Sequence, residues 1–274
     1  MRRGILSIVG AEVRDVLAEP CPRKPIRIKP KMPVLRKRVV GQTVVAVERL
    51  GKRVLVCLDS RDTLVFEPRM TGLILVADPP SIEHLRVRVE LSGCDIDRFW
   101  YWDRRGLGNV RLLSPRQLAE QLGEAKLGPD ALAVEWDELR DRFGTGTRPV
   151  KNALLDQRAI AGVGNLYASE ILHRAKVHPE RPVKDVSNPQ WQRIHAALVE
   201  ILETAILCEG STLADGTYRN SLNDPGGYQN QHRVYDREGE RCVQCERGKI
   251  RRIVQAGRST FYCPFCQRRK SPSS

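Results

Sequence analysis

Four cysteines near the C-terminus have the type and spacing of metal ligands. Cys242 and Cys245 form one CxxC pair, Cys263 and Cys266 form a second, and 17 residues separate the pairs. Two such pairs of thiolates suit a closed tetrahedral zinc site, which leaves no open position for a substrate. The pattern therefore predicts one structural Zn²⁺ that folds the chain around it and does no chemistry itself.

The chain between the two pairs is predicted to form two strands, at residues 249–255 and 259–262, around a turn at residues 256–258. Residues 241–270 hold nine Lys or Arg against one acidic residue, Glu246. A planar guanidinium on a rigid turn can grip a phosphate with two hydrogen bonds, which makes Arg258 a candidate ligand. Taken alone, the position of Arg258 is also consistent with an arginine that is exposed to solvent in a turn and binds no ligand.

A pair of helices interrupted by glycines is the second motif with possible chemistry. Helices are expected at residues 151–161 and 166–175, on either side of the break at residues 162–165. Asn165 is placed to cap the second helix, whose N-terminal N–H groups could bind an anion, and Lys151 adds a charge nearby. A plain helical hairpin with a glycine cap fits the same spacing.

Composition limits the classes of protein that can position these residues. The chain has 274 residues, and 46 Lys or Arg against 33 Asp or Glu give a net charge of +13. That surplus predicts a polyanionic partner, either nucleic acid or an anionic membrane surface. There is room for a real core and no apolar run of membrane-spanning length, so a disordered tail and a transmembrane helix are excluded. The start lacks a signal peptide, which predicts a cytoplasmic protein.

Strand signals precede helix signals along the chain. Short apolar or alternating runs predict strands in a sandwich or barrel, at residues 44–47, 53–58, 64–66, 85–91 and 99–102. Helices are expected to begin at Ser114–Pro115 and near Ser187, the latter with an apolar stripe starting at Trp191. Residues 23–38 carry eight basic residues and three prolines, which predicts a loop or sheet edge rather than a helix, with a slight preference for a phosphate-facing surface. The polar residues 210–240 form a long stretch without a structural signal.

The remaining cysteines are scattered and do not suggest a second metal site. We expect them to be buried small apolar residues: Cys21, Cys57, Cys94 and Cys208.

Two segments carry a resemblance to a known family. KNALLDQRAIAGVGNLYASEILHRAKVHPERP (151–182) resembles the helix–two-turns–helix of the formamidopyrimidine-DNA glycosylase family, and CVQCERGKIRRIVQAGRSTFYCPFCQ (242–267) resembles its zinc finger almost position for position. The resemblance continues weakly through the N-terminal half. It implies an α+β multidomain protein with a β-sandwich at 1–113, a helix–two-turns–helix domain with a lesion-capping loop at 114–235, and a zinc-finger hairpin at 236–274. It also implies DNA bound between the first two domains.

The resemblance assigns roles residue by residue. Lys52 matches a lysine near the lesion phosphate that is assigned to β-elimination, and Arg258 matches the arginine assigned to δ-elimination. Asn165 and Lys151 match residues that hold the backbone around a flipped nucleotide. The others match further DNA contacts, two of which fill the gap that a flipped base leaves: His84, Met70 and Arg105.

Three departures from the family pattern bear on activity. The family begins with a proline nucleophile and a glutamate acid/base, whereas this sequence begins Met1-Arg2-Arg3-Gly4, which resembles an interior part of that pattern. We therefore expect a short segment upstream of Met1. Leu107 stands where the third gap-filling residue is usually phenylalanine, and Glu67 stands where a histidine near DNA is usual. An ionised carboxylate close to phosphate would weaken binding.

The sequence leaves three functional hypotheses. The first is a DNA glycosylase and abasic-site lyase that removes oxidised purines from double-stranded DNA, acting as a monomer without a membrane partner. The second is a non-catalytic DNA-binding protein on the same scaffold, because the proline and glutamate are absent from this sequence. The third is a zinc-ribbon RNA-binding protein, against which the helical domain and the lack of aromatic stacking motifs count.

Overall fold

The computed structural model describes residues 1–213, 216 and 218–269, and the chain separates into two compact units. The first unit comprises Met1–Gly123 and Cys208–Gln229, and the second comprises Glu124–Leu207 and the chain from Asn230 onward. The two boundaries between the three domains expected from the sequence, after residues 113 and 235, stay a prediction.

The first unit is a sandwich of two sheets. One sheet has the strand order β1-β7-β8-β6 and the other has the order β2-β9-β5-β4-β3, in which only β2 and β9 pair in parallel. The strands are β1 (Glu12–Ala18), β2 (Arg27–Lys29), β3 (Val44–Leu50), β4 (Arg53–Leu58), β5 (Thr63–Glu67), β6 (Gly72–Leu75), β7 (Leu85–Ser92), β8 (Arg98–Asp103) and β9 (Asn109–Leu113). Side chains from both sheets share one buried apolar cluster, so the predicted β-sandwich is confirmed.

Strand β7 shows how the alternating pattern builds this core. Its apolar residues Leu85, Val87, Val89 and Leu91 are all buried, as a period of two requires. Arg86 breaks the alternation, because it is only 3% exposed. A buried arginine needs hydrogen-bond partners, and those of Arg86 are Asp103 O, Lys24 O and Cys21 Sγ.

The basic segment 23–38 contains a helix, so the expectation of loop or sheet edge throughout is wrong. β2 does lie at the edge of its sheet, but α1 follows at Met32–Val39. Pro33 falls in the first turn of α1, where the missing N–H breaks no helical hydrogen bond. Buried Leu35 and Val39 anchor α1 on the sandwich.

A capping box begins the next helix. α2 (Pro115–Leu122) follows Ser114, whose hydroxyl accepts from Gln117 N while the Gln117 side chain accepts from Ser114 N. The predicted start at Ser114–Pro115 is confirmed.

The second unit is helical and ends in a two-stranded hairpin. Its elements are α3 (Trp136–Phe143), α4 (Val150–Leu154), α5 (Asn165–Arg174), α6 (Asn188–Leu207), β10 (Arg251–Gln255) and β11 (Arg258–Tyr262). Trp191, Ile194, Leu198 and Ile201 are buried along α6, which confirms the predicted apolar stripe. The Trp191 ring lies 5.6 Å from the Phe143 ring of α3, so the stripe packs against a neighbouring helix.

The first helix of the glycine-broken pair is shorter than expected. α4 ends at Leu154, whereas the sequence predicted a helix to residue 161. Asp156 accepts a hydrogen bond from Arg158 N at 3.0 Å, and Gln157 accepts from Gly162 N at 3.1 Å. Side chains that bind nearby backbone in this way compete with helix formation, and residues 155–164 form a turn and irregular backbone instead of a helix.

The polar stretch 210–240 contains little regular structure, as expected. Its regular element in the described residues is a short 3-10 helix, Tyr228–Gln231, and residues 214, 215 and 217 lie outside the description, as does the tail from residue 270. Within the described part of the chain, no helix has the length and apolarity needed to cross a bilayer.

The four scattered cysteines are partly rather than fully buried. This corrects the expectation of buried apolar residues. Cys21 shows the reason, because its thiol donates to Glu83 O at 3.0 Å and accepts from Arg86 Nη1 at 2.7 Å, so it acts as a polar partner at the surface.

Candidate metal site and nucleic-acid interface

The four C-terminal thiols meet at one point. The sulfur atoms of Cys242, Cys245, Cys263 and Cys266 all lie within 4.8 Å of one another, with Cys242–Cys266 at 3.8 Å and Cys245–Cys263 at 3.7 Å. Zn–S bonds of about 2.3 Å in a tetrahedron require sulfurs about 3.8 Å apart. The donor set and its spacing therefore fit Zn²⁺.

Hydrogen-bond donors around the sulfurs favour the thiolate form. Although burial opposes it, N–H groups of Gly248 and Arg247 lower the pKa of Cys245 to about 6. Burial and the neighbouring thiols raise the pKa of Cys266. Four adjacent thiols thus resist ionising together, and a divalent cation is what would stabilise all four thiolates.

A helix of the same unit contacts this metal site. His173 of α5 is fully buried, and its Nε2 lies 3.3 Å from Cys242 Sγ. Burial and nearby arginines lower the pKa of His173 to about 4, so the ring is neutral at pH 7. If Cys242 held a metal as a thiolate, its sulfur would only accept a hydrogen bond, and His173 Nε2 would carry the proton.

A buried lysine joins the glycine-broken helices to the hairpin. Lys151 of α4 is fully buried, and its Nζ donates to Asn165 Oδ1 at 2.7 Å, to Thr260 Oγ1 at 2.6 Å and to Ser259 O at 3.1 Å. Asn165 Nδ2 also donates to Ser259 O at 2.9 Å. Burial, together with the charge of Arg258, lowers the pKa of Lys151 to about 8.

The predicted cap at Asn165 is wrong. The N-cap of α5 is Gly164, with extended backbone and no side-chain hydrogen bond, and Asn165 is the first helical residue. Its amide is occupied by Lys151 and Ser259 instead, which no pattern within α5 could have indicated.

Arg258 lies at the tip of the hairpin but not within its turn. Ala256 and Gly257 alone make the turn, both with positive φ (46° and 73°), and Arg258 begins β11 opposite Gln255. Two positive-φ residues form the tight turn that matches strand twist. The Arg258 side chain is therefore exposed on a rigid element, next to the Lys151 cluster.

Two loops of the first unit carry the residues expected to fill the gap left by a flipped base. Met70 is 68% exposed, Arg105 is exposed, and Arg105 Nη1 donates to Met70 Sδ at 3.4 Å. Leu107, in the position of the usual phenylalanine, is 39% exposed on the same loop as Arg105. The structure thus brings these three side chains to one surface of the sandwich.

Asp103, for which no role was predicted from the sequence, holds these two loops together. Asp103 is fully buried, its Oδ1 accepts from Thr71 Oγ1 at 2.5 Å and from Arg105 N at 3.2 Å, and its Oδ2 accepts from Gly108 N at 2.8 Å. Arg86 Nε and Nη2 donate to Asp103 O at 2.9 and 2.7 Å. An acidic residue between an aromatic strand and a Gly-containing loop is the signal that could have identified it.

The other two expected contacts of the first unit differ in accessibility. Lys52 is exposed at the turn between β3 and β4. The His84 side chain is only 12% exposed, with its ring against Trp102 at 5.3 Å and its Nε2 3.2 Å from Glu83 Oε1. Burial, opposed by Glu83, lowers the pKa of His84. The protein environment of His84 thus favours the neutral imidazole.

Glu67 does not present a carboxylate to the surface. Its side chain is 12% exposed and lies 3.0 Å from Arg69 Nε, 3.3 Å from Arg53 Nε and 3.6 Å from Arg111 Nη2. Three guanidinium groups around one carboxylate neutralise it. The repulsion of phosphate expected from the sequence does not follow in this environment.

Family profiles match most of the chain. Residues 1–110 match the formamidopyrimidine-DNA glycosylase N-terminal domain, and residues 127–216 match the formamidopyrimidine-DNA glycosylase H2TH domain.

Curated relatives match over similar lengths. The formamidopyrimidine-DNA glycosylase of Chloroflexus aurantiacus is 38% identical over 84% of this chain and 81% of its own length. That of Phenylobacterium zucineum is 36% identical, covering 90% of this chain and 93% of the relative.

Solved structures agree with the profiles. MutM (Fpg) from Thermus thermophilus superposes with a TM-score of 0.81 at 34% identity, covering 95% of this chain and 92% of that one. The Lactococcus lactis Fpg in complex with abasic-site DNA gives a TM-score of 0.85 at 28% identity, covering 98% and 97%.

The sandwich, the helix–two-turns–helix and the cysteine cluster together define a class, the DNA glycosylases built on this scaffold. The chain belongs to the formamidopyrimidine-DNA glycosylase family. The family and fold class that the sequence indicated are confirmed.

Proposed function

We propose that this chain is a base-excision repair enzyme that removes oxidised purines from double-stranded DNA and cleaves the resulting abasic site by β,δ-elimination. The observation that carries the proposal is the cluster of Lys151, Asn165 and Arg258 at the junction of the two helices with the hairpin. Such a cationic cluster can bind the phosphates of an extruded nucleotide. Met70 and Arg105 can fill the gap that the extruded base leaves in the base stack. The relatives and solved neighbours do not favour a non-catalytic DNA-binding protein.

The catalytic assignments are part of the proposal. Lys52 assists β-elimination and Arg258 assists δ-elimination, while Met70, His84, Arg105, Lys151 and Asn165 bind DNA. One structural Zn²⁺ is held by Cys242, Cys245, Cys263 and Cys266 and supplies folding rather than chemistry. The enzyme works as a monomer in the cytoplasm, where a reducing environment keeps the metal-binding thiols reduced.

Trapping of a covalent adduct tests the enzymatic proposal. A chain that carries a Pro-Glu segment of the family type ahead of Met1 should form a borohydride-stable adduct with a duplex containing an oxidised purine, because the proline amine forms an imine with the sugar. The matched control is the same chain with that proline replaced by glycine, and adducts are counted by gel shift. A chain with intact proline that binds the damaged duplex but yields no adduct would defeat the enzymatic function.

Arg258→Ala should weaken DNA binding at every sequence. If six phosphates are contacted, log K falls against log salt with a slope of about −5, and loss of one contact flattens it by about one unit. The measurement is fluorescence anisotropy over a salt series, with Arg116→Ala on α2 as the control because Arg116 is also exposed and forms an ion pair with Glu120 of the same helix. An unchanged slope would remove Arg258 from the interface.

DNA affinity should fall as the pH rises through about 8. The pKa of Lys151 is lowered to about 8, so the charge that attracts phosphate is lost above that pH. The stability of the free protein changes in the opposite direction, since the unfolded chain keeps this proton up to a pKa of about 10.4 and folding is therefore favoured as the pH rises from about 8 to about 10.4.

The Lys151→Met variant isolates this effect from other groups that titrate in the same range. Its affinity should be weaker at pH 7 and should lose the component of the pH dependence that begins near pH 8. Identical profiles for both proteins between about pH 7.5 and 9.5 would assign the dependence to another group.

A further inference from the structure

A basic cavity lies beside the loops that carry Met70 and Leu107. Its volume is about 360 Å³, and its lining includes the three cationic residues Lys24, Arg27 and Arg69 together with the loop residues 106–109. None of the described lining residues is acidic. Lys24 and Arg27 belong to the basic segment 23–38, which the functional assignments above leave without a role.

The cavity is held in place by buried hydrogen bonds. Arg86, 3% exposed, donates from Nη1 to Lys24 O at 2.9 Å and from Nε and Nη2 to Asp103 O. A Cβ on Gly106 would lie 2.5 Å from Lys24 O, so the two lining segments touch backbone to backbone. A cavity whose walls are fixed before binding loses little entropy when a ligand enters.

Arg69 faces this cavity in an unusual backbone conformation. Its φ is +56°, its side chain is 58% exposed, and it directly precedes the exposed Met70. The left-handed region is unfavourable for a residue with a Cβ, and such strain persists where the surroundings hold it and often marks function.

Glu67 is the group that holds Arg69. Its Oε1 lies 3.0 Å from Arg69 Nε, while Oε2 lies 3.3 Å from Arg53 Nε and accepts from Asn109 Nδ2 at 3.2 Å. Asn109 itself lines the cavity. The nearly buried carboxylate of Glu67 therefore holds the guanidinium of Arg69 at Nε. The two Nη atoms of Arg69 can then donate to a ligand.

We propose that Arg69, with Lys24 and Arg27, binds a backbone phosphate of DNA beside the displaced base, and that Glu67 is the positioning residue for Arg69. Guanidinium and ammonium groups around a preformed cavity match a phosphodiester in charge and hydrogen-bond donors. This inference rests on the proposed function, since it requires a duplex on this surface. It also gives the glutamate a role opposite to the repulsion that its charge suggests.

The Arg69→Gly variant separates binding from folding. Glycine adopts positive φ without strain and Glu67 keeps Arg53 and Arg111, so the melting temperature should not fall. Affinity for a duplex with a tetrahydrofuran abasic-site analogue should weaken by about fivefold, and the salt slope should flatten by about one unit. Arg116→Ala is the control and should change neither quantity.

The positioning role of Glu67 is tested by combining Arg69→Gly with Glu67→Gln. If Glu67 acts through Arg69, the loss of DNA affinity caused by Arg69→Gly should shrink to about twofold or less in the Glu67→Gln background. The reason is that an Arg69 side chain no longer positioned by Glu67 already contributes little to DNA affinity. Equal losses in both backgrounds would overturn the role of Glu67. The salt slope of Arg69→Gly stands as a test even if Glu67→Gln fails to fold.

The outcomes distinguish this inference from the proposed function. A wild-type protein that shows no salt-dependent binding to the abasic-site duplex would defeat the proposed function itself. Steep wild-type salt dependence with an unchanged slope in Arg69→Gly would overturn only the phosphate site. Weaker binding and a flatter slope, at an undiminished melting temperature, would support it.

Discussion

Chelation of the metal should leave the first unit folded and the C-terminal hairpin unfolded. Among the described residues, the buried apolar cluster of the hairpin module has five members, Val234, Cys242, Ile250, Phe261 and Cys263, and two of them belong to the four-thiol cluster. A core this small cannot offset the entropy of ordering the module, whereas structural zinc contributes about 10–16 kcal/mol in finger peptides. DNA affinity should fall by at least about tenfold, because Arg258 and two partners of Lys151, Ser259 and Thr260, lie on the hairpin.

Three measurements check this result on one sample. A zinc indicator should report one equivalent of metal released, limited proteolysis should open sites within residues 241–269, and anisotropy should report the affinity. Cys263→Ser should reproduce the effect without a chelator. The control is Cys94→Ser, which lies outside the cluster and keeps a donor for Ile96 O. Native protease resistance and affinity after verified metal loss would show that the metal is dispensable.

Replacing Asp103 with alanine should have the second largest effect, which falls on both the stability of the protein and its discrimination of damaged DNA. The change leaves Thr71 Oγ1, Arg105 N and Gly108 N without their buried acceptor, which should cost about 3 kcal/mol of unfolding free energy. It also frees the loops that carry Met70, Arg105 and Leu107. Discrimination between damaged and intact duplex should therefore fall more than the affinity for intact duplex does.

Graded variants separate the hydrogen bonds of Asp103. Asp103→Asn keeps the volume but turns an N–H group towards Gly108 N, and it should cost less than alanine, about 1–2 kcal/mol. Thr71→Val removes one donor and should cost about 1 kcal/mol. Asp97→Asn, 74% exposed, is the control for a lost carboxylate on the same strand–loop segment. Urea denaturation gives the free energies, and wild-type stability in Asp103→Ala would contradict the role of this residue.

The predictions made from the sequence were confirmed mainly where the structure depends on interactions between residues close together in the sequence. The clustered cysteines lie three positions apart within each pair, the apolar stripe of α6 follows the helical period, and the start of α2 depends on Ser114 and Gln117. The local expectations that were wrong include the cap at Asn165, the place of Arg258 within the hairpin turn, the absence of a helix from the basic segment and the length of α4. The last two depended on a few residues, since Pro33 sits where a helix tolerates it, and Asp156 and Gln157 divert the chain into a turn.

What the order of residues determined by itself was the presence of the sandwich, of the broken helical pair and of a cluster of four thiols that could hold a metal ion. Folding in three dimensions decided the charge and the accessibility of the functional side chains. Lys151 is buried by Thr260, which is 109 residues away along the chain, and Asp103 meets Thr71 across 32 residues. Glu67 is neutralised by arginines on three different segments. The physical reason is that hydration and Coulomb energy depend on distance in space, which a linear pattern does not contain.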